Sequence, residues 1–290
     1  MRFGFLLKPG QPEAPRVAAE LTELLRERGF PVVTIVEDDA EVPGATRVPA
    51  ARLGESIDVL VVLGGDGTFL HGASLVADHG VTLLGINLGS LGFMAHASPT
   101  AAREAIEAAC AGRLPIDERM RLEVTVRSEG GAVERRSALN EAVILRATPR
   151  LLDLSAELDG DVITTYKADG LILSTPTGST AYNLAAGGPI LTPDLEAIVL
   201  TPICPHTLTN RPVVIRADAK VAVTNVSAQA VTLTVDGRWS RDLAPGESIE
   251  VRKTARPLRM FRPQSGFFAV LRSKLSWGER HPETPAVARR

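Results

Sequence analysis

Val59–Leu63 is an unbroken apolar run, Val-Leu-Val-Val-Leu, that ends directly on Gly64-Gly65-Asp66-Gly67-Thr68. Apolar character without alternation marks a strand buried on both faces, and such strands belong to parallel sheets covered by helices. A helix from about Phe69 to Asp78 and a strand over Val81–Ile86 complete a strand–loop–helix–strand unit. Open α/β sheets bind ligands at the carboxyl ends of their strands, where this loop falls. Its glycines let backbone N–H groups approach phosphate oxygens, and the following helix adds its positive N-terminal end. We therefore read Gly64, Gly65, Gly67 and Thr68 as a phosphate loop.

The loop lacks the lysine of a Walker motif and is not Gly-x-Gly-x-x-Gly, which sets aside P-loop ATPases and ordinary dehydrogenases. An acid at its centre repels the anion that the amides attract. One reading is that Asp66 hydrogen-bonds the hydroxyl that attacks a phosphoryl group and takes its proton. The other is a Gly-Gly-Asp-Gly turn in which Asp66 bonds its own backbone.

Upstream, Phe3–Leu7 reads as a buried strand that Lys8-Pro9 ends before a secretory core could form. Val17, Leu21, Leu24 and Leu25 fall at helical spacing, Gly29 stops that helix, and Val32–Val36 is a second strand before the loop Glu37–Gly44. A helix follows over about Thr100–Cys110. From Met120 the texture changes to short Val-, Leu- and Thr-rich runs. Candidate strands include Leu122–Val126, Ala142–Leu145, Leu152–Leu158, Asp161–Tyr166, Ala197–Thr201, Val221–Thr224, Val231–Val235 and Ile249–Arg252. Asp159-Gly160 and Asp236-Gly237 are hairpin pairs, so this part reads as an antiparallel sandwich. Phe267–Leu271 reads as a segment packing back on a core, and His281–Arg290 as a loose tail.

At 290 residues the chain has room for about two domains. Its 32 Lys+Arg against 34 Asp+Glu give a net charge of −2, which argues against a nucleic-acid-binding surface. No apolar run approaches the roughly 20 residues of a membrane-spanning helix. Cys110 and Cys204 form no Cys-x-x-Cys pair, so a reducing, cytoplasmic setting is expected. The five histidines share no metal-ligand spacing.

Two further segments bear on the ligand. Asn140-Glu141 opens an apolar run, and an amide beside a carboxylate suits a ribose diol or an adenine edge, if a strand end or bulge lets both face one ligand. On local sequence alone the favoured alternative is an exposed polar pair opening a strand. Lys167-Ala168-Asp169-Gly170 leads into a short buried strand, Leu171–Leu173, then the hydroxyl-rich turn Ser174–Ser179 and a short helix about Thr180–Ala186 that Gly187-Gly188-Pro189 ends.

The Gly-Gly-Asp-Gly-Thr loop is shared by NAD kinases, diacylglycerol kinases and, in a close variant, phosphofructokinases. The whole set resembles an NAD kinase: Gly64–Thr68, Asn87-Leu88-Gly89 with Leu91-Gly92-Phe93, Asn140-Glu141, Asp169–Asn183 with Gly187-Gly188-Pro189, Arg211-Pro212, Val235-Asp236-Gly237 and Ser273-Lys274-Leu275 to Trp277. The resemblance implies a Rossmann-like α/β domain of the phosphofructokinase and diacylglycerol kinase kind, residues 1–116 joined by 264–290, which binds the phosphate donor. It also implies an all-β sandwich over 117–263 that binds the dinucleotide. The implied reaction moves the γ-phosphoryl group of ATP to the 2′-hydroxyl of the adenosine ribose of NAD, giving NADP. Mg²⁺ or another divalent ion would be carried chiefly by the donor phosphates.

Carried over by position, Asp66 is the proton acceptor. Gly67, Phe69, Asn140, Glu141, Lys167, Asp169, Thr180, Ala181, Tyr182, Asn183, Leu184 and Ala185 join it as NAD contacts, with Leu151 and Arg238 as additional ones. Arg238 stands where many members carry Gln, Leu151 where some place a polar contact, and Lys167 keeps the positive charge of members that prefer NAD over NADH. In this family the dinucleotide lies partly against a neighbouring subunit, so a homodimer or homotetramer is implied. Rival readings are a lipid or sugar kinase with the same loop, and a dinucleotide sensor without turnover.

Overall fold

The computed structural model describes residues 1–35, 41–89, 92–128, 131 and 133–277; Leu91, part of the Glu37–Gly44 loop and the tail His281–Arg290 lie outside the described residues. One seven-stranded sheet runs in the order Thr46–Val48, Val32–Ile35, Phe3–Leu7, Val59–Leu63, Thr82–Ile86, Leu258–Phe261, Ile116–Arg119. Its neighbours are parallel except the last pair. The double burial expected of Val59–Leu63 follows from layers on both sides. Val59, Val61 and Leu63 pack with the helices Glu13–Glu27 and Ala102–Cys110, and Leu60 and Val62 with the helix Asp66–Val76.

Two six-stranded antiparallel sheets form the other unit. Their orders are Asp161–Ala168, Leu152–Leu158, Val221–Asn225, Ser248–Lys253, Leu122–Arg127, Val133–Ala138, and Val213–Arg216, Ala197–Ile203, Gly170–Ser174, Glu141–Arg146, Val231–Val235, Trp239–Leu243. Alternate side chains of both, among them Val124, Leu154, Leu173, Leu200, Val223, Leu233 and Val251, fill one core. Asp159-Gly160 and Asp236-Gly237 turn their hairpins with positive φ at all four residues. Sequence patterning misses Val133–Ala138, whose Val-Glu-Arg-Arg-Ser-Ala is a polar edge strand, and Leu258–Phe261, which returns to the first sheet. Ile116–Arg119 and Leu258–Phe261 thus both belong to the seven-stranded layer.

Arg121 fastens the two units where the chain crosses. Only 2% exposed, it donates from Nη2 to Asp78 Oδ1 at 2.8 Å and from Nε and Nη2 to the Arg256 carbonyl at 3.2 and 3.0 Å. Arg256 in turn donates to the Asp78 carbonyl. The C-terminal end of the helix that begins at Asp66 is held by these cations, as helix polarity favours. Arg121→Leu removes these charge-assisted bonds between the two units and is expected to cost about 1–3 kcal/mol, read as a lower urea midpoint at unchanged m-value.

Candidate active site

Asp66 is the first residue of the helix Asp66–Val76, with Gly65 in extended conformation as its N-cap. The helix therefore starts three residues before the expected Phe69, and Gly67 and Thr68 sit in its first turn. By helix geometry the N–H groups of Asp66 and Gly67 have no acceptor within the helix, and Gly67 is exposed. Gly64 donates to the Ile86 carbonyl at 3.0 Å, so the loop crosses the carboxyl end of the sheet where expected.

The Asp66 carboxylate is not turned onto its own loop. Oδ2 accepts from the Phe93 N–H at 3.1 Å and Oδ1 from the Met94 N–H at 3.2 Å. Gly92 makes room for it: a Cβ there would stand 2.2 Å from Asp66 Oδ1. His96, assigned no partner in the sequence, ties the same segment to the returning chain through Nδ1 and the Arg262 carbonyl at 2.5 Å.

Leu139 joins the two units at this point. It is buried in the same cluster as Phe69 and Met94, which sets Asn140 and Glu141 against the Asp66 loop. Asp236, at φ 49°, accepts backbone N–H groups from Leu139, Asn140 and Glu141 at 2.7, 2.8 and 3.0 Å. That clamp holds Asn140 and the first residue of the strand Glu141–Arg146 at a strand end, the condition for both to meet one ligand. Asn140 Oδ1 and Glu141 Oε2 are buried without a hydrogen-bond partner. Burial, reinforced by the neighbouring Asp236 carboxylate, pushes the Glu141 carboxyl up to about 8. Burial also raises Asp236, opposed by its three N–H donors and by Arg238. The bonded Asp236 is the better seat for the charge, and Glu141 for the proton.

The turn after Gly170–Ser174 packs tightly on this clamp. A Cβ at Gly178 would stand 2.2 Å from the Asn140 carbonyl oxygen, and Thr175 Oγ1 donates to the Leu139 carbonyl at 2.6 Å. Thr180, Ala181 and Leu184 are half-buried, and Tyr182 and Ala185 are exposed. Arg238 is exposed on the hairpin beside the Asp66 helix; the partial burial of His71 on that helix lowers its pKa, and the Arg238 charge lowers it further.

Two of the expected contact residues are buried. Phe69 is 2% exposed and belongs to the core beneath the loop, because its position three residues after Asp66 turns it toward the sheet. Asn183 is fully buried, and its amide is spent internally. Nδ2 donates to the Ser179 and Pro189 carbonyls at 3.0 Å each, and Oδ1 accepts from Thr201 Oγ1 at 2.6 Å. These bonds fix the turn.

Lys167 and Asp169 stand apart from these groups within one chain. Ser174 pairs with Glu141 and Gly170 with Leu145, so Asp169 lies beyond the opposite end of the strand, about 16 Å from Ser174 by strand rise. There Asp169 Oδ1 meets Arg146 Nε at 3.1 Å, and Lys167 Nζ lies 3.8 Å from Asp153 Oδ1. Half-buried Leu151 adjoins Leu152, which pairs with Ala168 at that same end. Among the described residues no three His, Cys, Asp or Glu side chains converge as a metal site, and no helix is long and apolar enough to cross a membrane.

A single carboxylate at a glycine-loop helix start, on the carboxyl edge of a parallel sheet and roofed by a β-sandwich, defines a two-domain phosphoryl-transfer enzyme. The family model of the ATP-NAD kinase N-terminal domain matches residues 3–114, and that of the ATP-NAD kinase C-terminal domain matches 139–262. The chain belongs to the ATP-NAD kinase family. The NAD kinase of Geotalea daltonii is 41% identical over 282 residues, covering 96% of this chain and 99% of that protein. That of Citrifermentans bemidjiense is 43% identical over 289 residues, with the same shares covered, 96% and 99%. Among solved structures, yeast NADH kinase complexed with NADH superposes at a TM-score of 0.89 and 27% identity, covering 98% of this chain and 90% of that one. An NAD kinase from Archaeoglobus fulgidus in complex with ATP superposes at 0.77 and 25% identity, covering 96% and 100%.

Proposed function

We propose that the chain transfers the γ-phosphoryl group of ATP to the 2′-hydroxyl of the adenosine ribose of NAD, with Asp66 orienting that hydroxyl and accepting its proton. The observation that carries this reading is a pair of buried, unpartnered acceptors, Asn140 Oδ1 and Glu141 Oε2, directly after Leu139, which shares a core cluster with the Phe69 and Met94 that flank the fixed Asp66 carboxylate. Such acceptors are costly unless a ligand donates to them, and ribose hydroxyls and an adenine amino group are donors. The transition state of phosphoryl transfer is loose, so holding the acceptor oxygen in line matters more than a strong base. The unpaired N–H groups at the start of the Asp66 helix face where equatorial phosphate oxygens gain charge.

Thr180, Ala181, Tyr182, Leu184 and Ala185 border the dinucleotide, and Arg238 adds a positive edge. The donor set fits a divalent cation that arrives on the nucleotide: one carboxylate, Asp66, stands at the loop, which leaves the other positions to phosphate oxygens and water. Bound there, the cation neutralises phosphate charge. The separation of Lys167 and Asp169 from Glu141 supports a homodimer or homotetramer in which a second copy brings that end to the site. The unpaired thiols of Cys110 and Cys204 suit a cytoplasmic enzyme.

The test is a coupled NADP-production assay with Mg-ATP, offering NAD, NADH and diacylglycerol in parallel. NADP from NAD is expected. Phosphorylated lipid without NADP would make this a lipid kinase, and NAD binding without NADP from any donor would leave a sensor. Gly178→Ala drives a methyl into the clamped Asn140 backbone. Overpacking costs about 1–3 kcal/mol, so displacement of the turn is expected to raise the Kd for NAD roughly 5- to 150-fold, measured by calorimetry.

A further inference from the structure

Gly64–Thr68 contains one acid and no base, yet a polyphosphate donor brings several negative charges to it. The first helical turn answers with about half a positive charge, and Asp66 opposes it. The fold places a lysine beside this loop from another strand. Phe3–Leu7 and Val59–Leu63 are parallel neighbours with Leu7 opposite Leu63, so the chain leaves both at the same edge of the sheet. The Lys8 N–H donates to the Leu63 carbonyl at 2.9 Å, and a Cβ on Gly64 would stand 3.1 Å from the Lys8 Cβ.

Lys8 is exposed, and its ammonium makes no ion pair with a described residue. Its backbone is nonetheless fixed. The Gln11 N–H donates to the Lys8 carbonyl at 3.3 Å, and Gln11 Nε2 to the Leu88 carbonyl at 3.2 Å. Three loops, after Leu7, Leu63 and Ile86, thus meet at the carboxyl ends of three adjacent parallel strands. An uncommitted ammonium on a long stem beside a phosphate loop has the charge and reach to bind phosphate oxygens.

We propose that Lys8 binds the phosphate chain of the phosphoryl donor, supplying from the first strand the cation that a Walker loop carries within its own sequence. This rests on the reaction proposed above. The chemistry recognised is a polyphosphate chain, whether on a nucleoside or free.

Lys8→Met and Lys8→Arg decide the matter. A hydrogen bond to a charged group is worth about 1.5–3 kcal/mol, so Lys8→Met is expected to raise the KM for ATP about 10- to 100-fold. The Kd for NAD without donor should move less than about twofold, and Lys8→Arg should recover most of the loss. Calorimetry with inorganic tripolyphosphate reads the same contact without turnover, and Lys8→Met should weaken it by a similar factor. Unchanged tripolyphosphate binding overturns the proposal, as does an equal loss toward NAD, a Lys8→Arg variant no better than Lys8→Met, or a loss that tracks a lowered melting temperature. Absence of NADP production by the unmodified chain, with tripolyphosphate binding still dependent on Lys8, would count against the reaction and not against this contact.

Discussion

Asp66→Asn lowers kcat by about 10²–10⁴-fold, the range for a positioned acid–base group, and leaves the Kd for NAD within a few-fold. The exchange keeps the side-chain shape but removes the charge. The amide oxygen can accept from one of the Phe93 and Met94 N–H groups, while its NH₂ faces the other. The expected signature is a split: turnover collapses in the coupled assay while calorimetry with NAD changes little. A folded variant with unchanged kcat would remove Asp66 from the chemistry. Parallel losses in binding and turnover would make it a binding group alone.

Glu141→Gln flattens the stability of the unligated protein against pH. The carboxyl is raised from 4.5 to about 8 by burial and by Asp236, so the folded state holds its proton where the unfolded chain has lost it. That contribution is fully present below about pH 4.5 and is lost as pH rises through 8, at about 1.4 kcal/mol per unit across the window. The total is on the order of 3–5 kcal/mol. Urea midpoints taken from pH 5 to 9 should fall faster for the unmodified protein than for Glu141→Gln. Superimposable slopes would show that Glu141 is ionised throughout. At neutral pH a protonated Glu141 can donate as well as accept, which suits a ribose hydroxyl.

Local pattern made much of this architecture legible. Val59–Leu63 announced double burial because all its side chains are apolar, and Asp159-Gly160 and Asp236-Gly237 announced hairpins because both positions adopt positive φ. The site was legible where one residue carries it, as at Asp66. It was not where pairing across long separations decides: Asp236 holds the backbone of 139–141 from 95 residues away, and nothing local marks it as more than a turn residue. The burial of Phe69 and Asn183 was not legible for a related reason. Adjacency to a motif does not say which face a side chain takes, and both turned inward, one to the core and one to the carbonyls of its own turn. Lys8 carried no pattern beyond ending a strand, and only the pairing of Leu7 with Leu63 brings it to the loop.

Leu258–Phe261 lies between Thr82–Ile86 and Ile116–Arg119 in the seven-stranded sheet. During synthesis the ribosome must therefore deliver the whole sandwich before the first layer can close, and until then two strands present unpaired edges. Fragments ending before residue 258 inherit that open seam, so truncation products of this chain are candidates for aggregation and not for an independent nucleotide-binding module.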